Sequence, residues 1–149
     1  MEVFDGNVGT GGLAVSATGE QILAWTIKDA KAVVASRTTA GRWRARDSVD
    51  IYDDDETYEL TIAVGDRGDA VAVWVGDGGL PVRAALMPAG EDWQRATQLG
   101  LDGAGGEASG AAVAAAIDAR GNAIAVWGHP IRRRAQTVNV VQAATHGPP

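Results

Sequence analysis

The stretch Gly65-Asp66-Arg67-Gly68-Asp69-Ala70-Val71-Ala72-Val73-Trp74 decides how this chain is read. Taken alone, its Arg67-Gly68-Asp69 tripeptide has the form of a cell-surface receptor ligand. Taken with its siblings, it is the tip of a hairpin. Ser16 to Trp25 reads SATGEQILAW and Ile117 to Trp127 reads IDARGNAIAVW, and in all three segments a glycine stands six residues before a tryptophan. The pairs are Gly19 and Trp25, Gly68 and Trp74, Gly121 and Trp127, the tryptophans recurring after 49 and 53 residues. Where the second segment has Arg-Gly-Asp, the first has Thr18-Gly19-Glu20 and the third Arg120-Gly121-Asn122. A glycine among such polar residues supplies the positive φ that a short hairpin needs, so the tripeptide is read as turn chemistry. The three tryptophans are expected to be core wedges between neighbouring sheets.

Apolar runs precede each glycine: Leu13 to Val15, Leu60 to Val64 and Ala112 to Ile117. After the first Gly-to-Trp hairpin come Ala32 to Thr38, a turn at Ala40-Gly41-Arg42 and the run Trp43 to Val49. After the second come Val82 to Met87, a turn at Ala89-Gly90-Glu91-Asp92 and the run Trp93 to Leu99. Each repeat thus predicts four short antiparallel strands, with polar linkers at Asp53 to Thr57 and Asp102 to Glu107. The repeats span about 12–52, 58–101 and 110–146 of a single domain covering 1–149. Four strands in roughly 45 to 50 residues is the size of a β-propeller blade.

Some local signals compete with the repeat. Ala111 to Ala116 favours a helix by intrinsic propensity, but its place ahead of the Gly121 turn assigns it to a strand. Small residues there suit the crowded centre of a propeller. Ala70 to Trp74 is apolar on both faces, as a strand covered on both sides must be. The glycine-rich Val8 to Gly12 lacks the Lys-Ser/Thr of a phosphate loop and reads as a flexible approach to the first strand. Repeat three departs from the pattern, with Gly128-His129-Pro130, Ile131 to Val138 and Val140 to His146 but no second tryptophan. Either its last strand pair is shortened, or its fourth strand is missing and the N-terminal segment 1–11 completes the blade through Glu2-Val3-Phe4.

The repeated form, an apolar run, Asp/Thr-x-Gly-Asn/Asp/Glu, Ala-x-Ala-Val-Trp, Val-x-Ala-Ala, a glycine turn and Trp, resembles the β-propeller repeat arrays of bacterial, notably actinobacterial, surface and secreted proteins. The likeness covers residues 12 to about 146. It implies a propeller-type binding or scaffold region at the cell surface or outside it. It differs from the Asp-box of sialidases, which places Trp three residues after Gly rather than six. Closed propellers have at least about four blades, so three four-stranded antiparallel blades predict either a homo-oligomer, with a six-bladed homodimer favoured, or a piece of a longer array.

Composition narrows the function. A formal net charge of −6 argues against nucleic acid as a partner, and Arg132-Arg133-Arg134 is the one basic run. No apolar stretch approaches the ~18 residues of a membrane span. The first twelve residues show no hydrophobic core of a secretory signal. With no cysteine there is neither a disulfide framework nor a thiol nucleophile. His129 and His146 have no evident catalytic partner, and the cluster Asp53-Asp54-Asp55-Glu56 lacks the alternating spacing of a calcium loop. No catalytic residue, metal site or cofactor is therefore expected. Trp43 beside Arg44, and Trp93 beside Asp92 and Arg95, are the ligand-binding candidates, because an aromatic face with adjoining charges can stack and orient a sugar or peptide. The expected function is non-catalytic, lectin-like or protein-recognising. The alternative is a propeller portion of a larger secreted enzyme such as a glycoside hydrolase.

Overall fold

The computed structural model describes residues 8–27, 31–37, 43–50, 57–76, 82–99, 112–133 and 136–147. Among these residues there are β-strands and no helix. The first sheet holds β1 (Val8–Val15), β2 (Gln21–Ile27), β3 (Lys31–Arg37) and β4 (Arg44–Asp50) in that order. The second holds β5 (Thr57–Val64), β6 (Ala70–Gly76), β7 (Val82–Met87) and β8 (Thr97–Leu99), likewise in chain order. The third holds β9 (Val113–Ile117), β10 (Ala123–Arg133) and β11 (Gln136–His146). Every pairing is antiparallel.

Three expectations are corrected. The third sheet has three strands rather than four among the described residues. The segment expected to hold its third and fourth strands instead runs as one long hairpin, paired from Ala123↔His146 to Arg133↔Gln136. β10 runs through Pro130, and from Ile131 to Val138 there is no Gly, Pro, Asn or Asp to break either strand early. Glu2-Val3-Phe4 lies outside the described residues. Second, Val8 to Gly12 belongs to β1 rather than to a flexible approach. Its glycines answer a packing demand, since a Cβ on Gly11 would lie 2.9 Å from the Ala24 carbonyl and 3.3 Å from the Trp25 Cβ. On the other side of the strand, a Cβ on Gly12 would lie 3.3 Å from Ile62 Cγ2. Third, the outer strand of the second sheet is confined to Thr97–Leu99. Ahead of it the Gln94 amide donates to the Leu86 carbonyl at 2.7 Å, and Trp93 and Ala96 turn onto the core.

The alternation of side chains gives each sheet two different faces. One carries the tryptophan and its in-register neighbours: Leu13 and Leu23 with Trp25, then Leu60, Ile62 and Ala72 with Trp74, then Val113, Ala115 and Ala125 with Trp127. The other is aliphatic: Ala14, Ile22 and Ala24, then Ala63, Val71 and Val73, then Ala114, Ala116, Ile124 and Val126. The aliphatic face of the first sheet packs on the tryptophan face of the second, joining Ile22 and Ala24 to Leu60, Ile62 and Trp74. The aliphatic face of the second packs on the tryptophan face of the third, joining Val71, Val73 and Val75 to Ala123, Ala125 and Trp127. The first strands β1, β5 and β9 lie against one another in series.

The middle sheet is consequently covered on both sides, and every residue from Ala70 to Val75 is at most 3% exposed. Among the described residues the outer two are covered on one side. Leu13 and Val15 on the tryptophan face of the first sheet are 61% and 57% exposed, and Ile124 on the aliphatic face of the third is 41% exposed. Trp25, Trp74 and Trp127 are all buried. The Trp127 indole N–H donates to Gln142 Oε1 at 2.9 Å, whereas that of Trp74 finds no acceptor among the described residues.

Candidate functional site

The turn that joins the first two strands of each sheet is built the same way three times. The Ser16 amide donates to the Glu20 carbonyl at 2.9 Å and the Gly19 amide to the Ser16 carbonyl at 2.9 Å. Gly65 to Asp69 (2.8 Å) and Gly68 to Gly65 (3.0 Å) repeat those bonds, as do Asp118 to Asn122 (2.9 Å) and Gly121 to Asp118 (3.0 Å). With φ of 80°, 89° and 87° at Gly19, Gly68 and Gly121, each is a type I turn closed by a left-handed residue, a common three-residue hairpin connection.

The side chains differ. Ser16 Oγ accepts the Glu20 amide at 3.0 Å. In the third turn Asp118 accepts the amides of Arg120 and Asn122, each at 2.8 Å, and the Asn122 side-chain amide at 2.7 Å. The hydrogen bonds from Asn122, its side chain first, hold the Asp118 carboxyl below its ordinary value. The second turn has Gly65 at this position, where a Cβ would lie 3.1 Å from the Asp118 carbonyl. That turn is instead braced by its neighbours. Arg67 Nε donates to Asp69 Oδ2 at 3.1 Å, Arg67 Nη2 donates to the Arg120 carbonyl at 2.7 Å, and Asp69 Oδ1 accepts the Ala89 amide at 3.2 Å.

The three turns also interlock. Glu20 of the first leans over Gly68 of the second, where a Cβ would meet its Oε2 at 2.8 Å. Arg67 and Asp69 of the second lean over Gly121 of the third, where a Cβ would lie 2.5 Å from Arg67 Nη2 and 3.4 Å from Asp69 Oδ2. The Arg-Gly-Asp tripeptide is thus employed within the molecule, its aspartate side chain only 16% exposed.

Beside this junction lies a cleft of about 470 Å³ between the second and third sheets. Leu86, Met87, Pro88 and Ile117 form its apolar lining, and Arg67, Asp69, Glu91, Gln94 and His146 bring polar groups to it. Mixed hydrogen-bonding groups over an apolar floor suit a small polar ligand or a peptide segment. No group of three or more potential metal-ligating side chains occurs among the described residues.

The sequence candidates lie elsewhere. Trp93 is half-buried against the core shared by the first and second sheets, with its indole N–H buried, while Asp92 and Arg95 are exposed. Trp43 is half-buried just before β4, and Arg44 opens that strand opposite Ser36, its side chain outside the described residues. Trp43 and Trp93 therefore belong to different sheets. His146 reaches the cleft, whereas the side chain of His129 lies outside the described residues. Of the cleft's polar groups, the sequence presents Arg67, Asp69 and Glu91 as turn residues and Gln94 as part of an outer run. The signal available was the acid that follows the turn glycine in two repeats, Glu20 and Asp69.

No protein-family model matches the chain, and no curated protein is significantly similar to it. Among the described residues no helix is long and apolar enough to cross a membrane.

Proposed function

We propose that this chain is a non-catalytic recognition module built from three consecutive β-propeller blades, and that the cleft beside Arg67 holds a polar ligand of the oligosaccharide or peptide class. The observation that carries the reading is the repeated junction: two unlike faces joined in the same register, twice, with the same turn at the same end. A propeller is that arrangement continued around an axis. Clefts between adjacent units, lined by residues from connecting segments, are where rigid scaffolds commonly present recognition groups.

Glycan and peptide arrays followed by calorimetry test it. Saturable binding without turnover is expected, and Glu91→Ala together with Gln94→Ala should weaken it at least tenfold, because both side chains are exposed and line the cleft. No saturable ligand on either array, or full affinity in that double variant, rules the cleft out. A ligand stacked on Trp43 or Trp93 would change tryptophan fluorescence directly, while no tryptophan lines the cleft. Hydrolysis of a glycoside in the same assays would favour the enzyme reading instead.

A further inference from the structure

Resting on the blade reading, we propose that the chain associates head to tail with a second copy of itself, the aliphatic face of the third sheet seated on the tryptophan face of the partner's first sheet. Both described junctions join these two kinds of face, and among the described residues one of each is left over. The leftover aliphatic face carries Ala114, Ala116, Ile124 and Val126, and the leftover tryptophan face carries Leu13, Val15 and Leu23.

The internal register says which residues meet. By their offsets from the turn glycines, Ile124 corresponds to Ile22 and Leu13 to Ile62, two side chains of one core cluster. Ile124 should therefore pack near Leu13 of the second copy. The turns give an independent check. Gly68 and Gly121 are each buried beneath a side chain of the preceding turn, while Gly19, the first in the series, is only half-buried. Asn122 stands where Glu20 and Asp69 stand in the earlier turns, so it should lie over Gly19 of the copy. Arg120 stands where Arg67 stands, and Arg67 donates to the carbonyl of the next turn at 2.7 Å. The matching acceptor across the new junction is the Thr18 carbonyl. A groove of about 490 Å³ lined by Ala116, Asn122, Ile124 and Thr145 lies open at this end of the third sheet, where the next turn would sit.

Light scattering coupled to size exclusion tests this on the unaltered chain and on Leu13→Glu and Ile124→Lys. The unaltered chain is expected at about twice its 15.3 kDa or a higher multiple. Each variant alone should fall to half that mass or less with its β-sheet circular dichroism intact. Mixed in equal amounts, they should associate again, because in a two-copy ring one junction is then wild type and the other sets the introduced carboxylate against the introduced ammonium. A monomeric unaltered chain at micromolar concentration overturns the proposal. So does an Ile124→Lys variant that associates normally, which would indicate like faces meeting. If either variant unfolds, dilution of the unaltered chain and Arg120→Ala, which removes only an exposed side chain, still decide. Array binding that persists in a monomer would retain the recognition reading while rejecting the association.

Discussion

Alanine at Gly90 meets one penalty and alanine at Gly121 meets two. Gly90 has φ of 75° with open space where a Cβ would go, so Gly90→Ala should cost only the left-handed backbone, about 1 kcal/mol. At Gly121 the methyl must also displace the Arg67 guanidinium from the Arg120 carbonyl, and about 1–3 kcal/mol of overpacking adds to the first cost. Gly68→Ala should fall near Gly90→Ala, because the Glu20 carboxylate it meets is the free-swinging end of a side chain. Urea titrations of the three variants give the ranking, and equal midpoints would refute the interlocked turns. The Asp118 carboxyl offers a second measurement. Its folded pKa lies below the ordinary 3.8, so its contribution to stability is fully present above that value and is lost as pH falls through the lowered one. Asn122→Ala removes the largest cause, and the Asp118 midpoint followed by NMR should climb back towards 3.8. At this scale the turn glycines were legible, because only a few residues tolerate positive φ. The reach of Arg67 to the Arg120 carbonyl was not, since nothing in a turn's own sequence says which way its side chains lean.

Strands are where apolar runs speak and glycine misleads. The runs on either side of each turn glycine, recurring at the same interval, marked β5, β6, β9 and β10, because a short apolar run bounded by turn residues reads as a strand. Val8 to Gly12 looked flexible for the same reason that Gly11 is needed there: absence of a side chain signals freedom in a sequence and close approach in a packed sheet. The outer strands were harder still, since only the ladder to β7 separates the three residues of β8 from the seven expected between Trp93 and Leu99. The long β10–β11 hairpin carries its own prediction. Among the described residues β9 pairs only with Ala123 to Trp127, so beyond Gly128 the described ribbon has two strands, and such ribbons are marginal in water. Amide exchange should be markedly faster between Ile131 and Val138 than between Ala123 and Trp127. Uniform protection along the hairpin would mean that something else covers its far half. The tryptophans divide similarly. Trp74→Ala and Trp127→Ala should each cost about 3–5 kcal/mol as large buried side chains, and Trp127→Phe should cost more than Trp74→Phe because it alone strips Gln142 of a donor.

The molecule as a whole is acidic, with a formal net charge of −6, and every copy repels its neighbour. If the leftover faces are the joint, apolar burial at roughly 25 cal/mol per Å² must exceed that repulsion. Raising the ionic strength from about 0.01 M to about 0.15 M shortens the screening length from ~30 Å to ~8 Å. Association should tighten across that range, as read by the concentration at which scattering mass halves. Weakening with salt would instead point to a contact held by ion pairs. The all-β class was legible from spacing alone. The cleft beside Arg67 was not, because it gathers Glu91, Ile117 and His146 from three distant segments that share no motif.

Each sheet meets the next through unlike faces, so the stack has a direction. A joint between like faces is satisfied by one partner and then stops. A joint between unlike faces always leaves a fresh pair at the ends, and it stops only when the rotation from sheet to sheet brings the last face round to the first. If that rotation misses closure, the same contacts propagate as a filament. If copies join through the leftover faces, the angle at the two internal joints governs whether the assembly stays a discrete particle, and substitutions that alter it, such as enlarging Gly12 where β1 meets β5, would be expected to show first as turbidity rather than as unfolding.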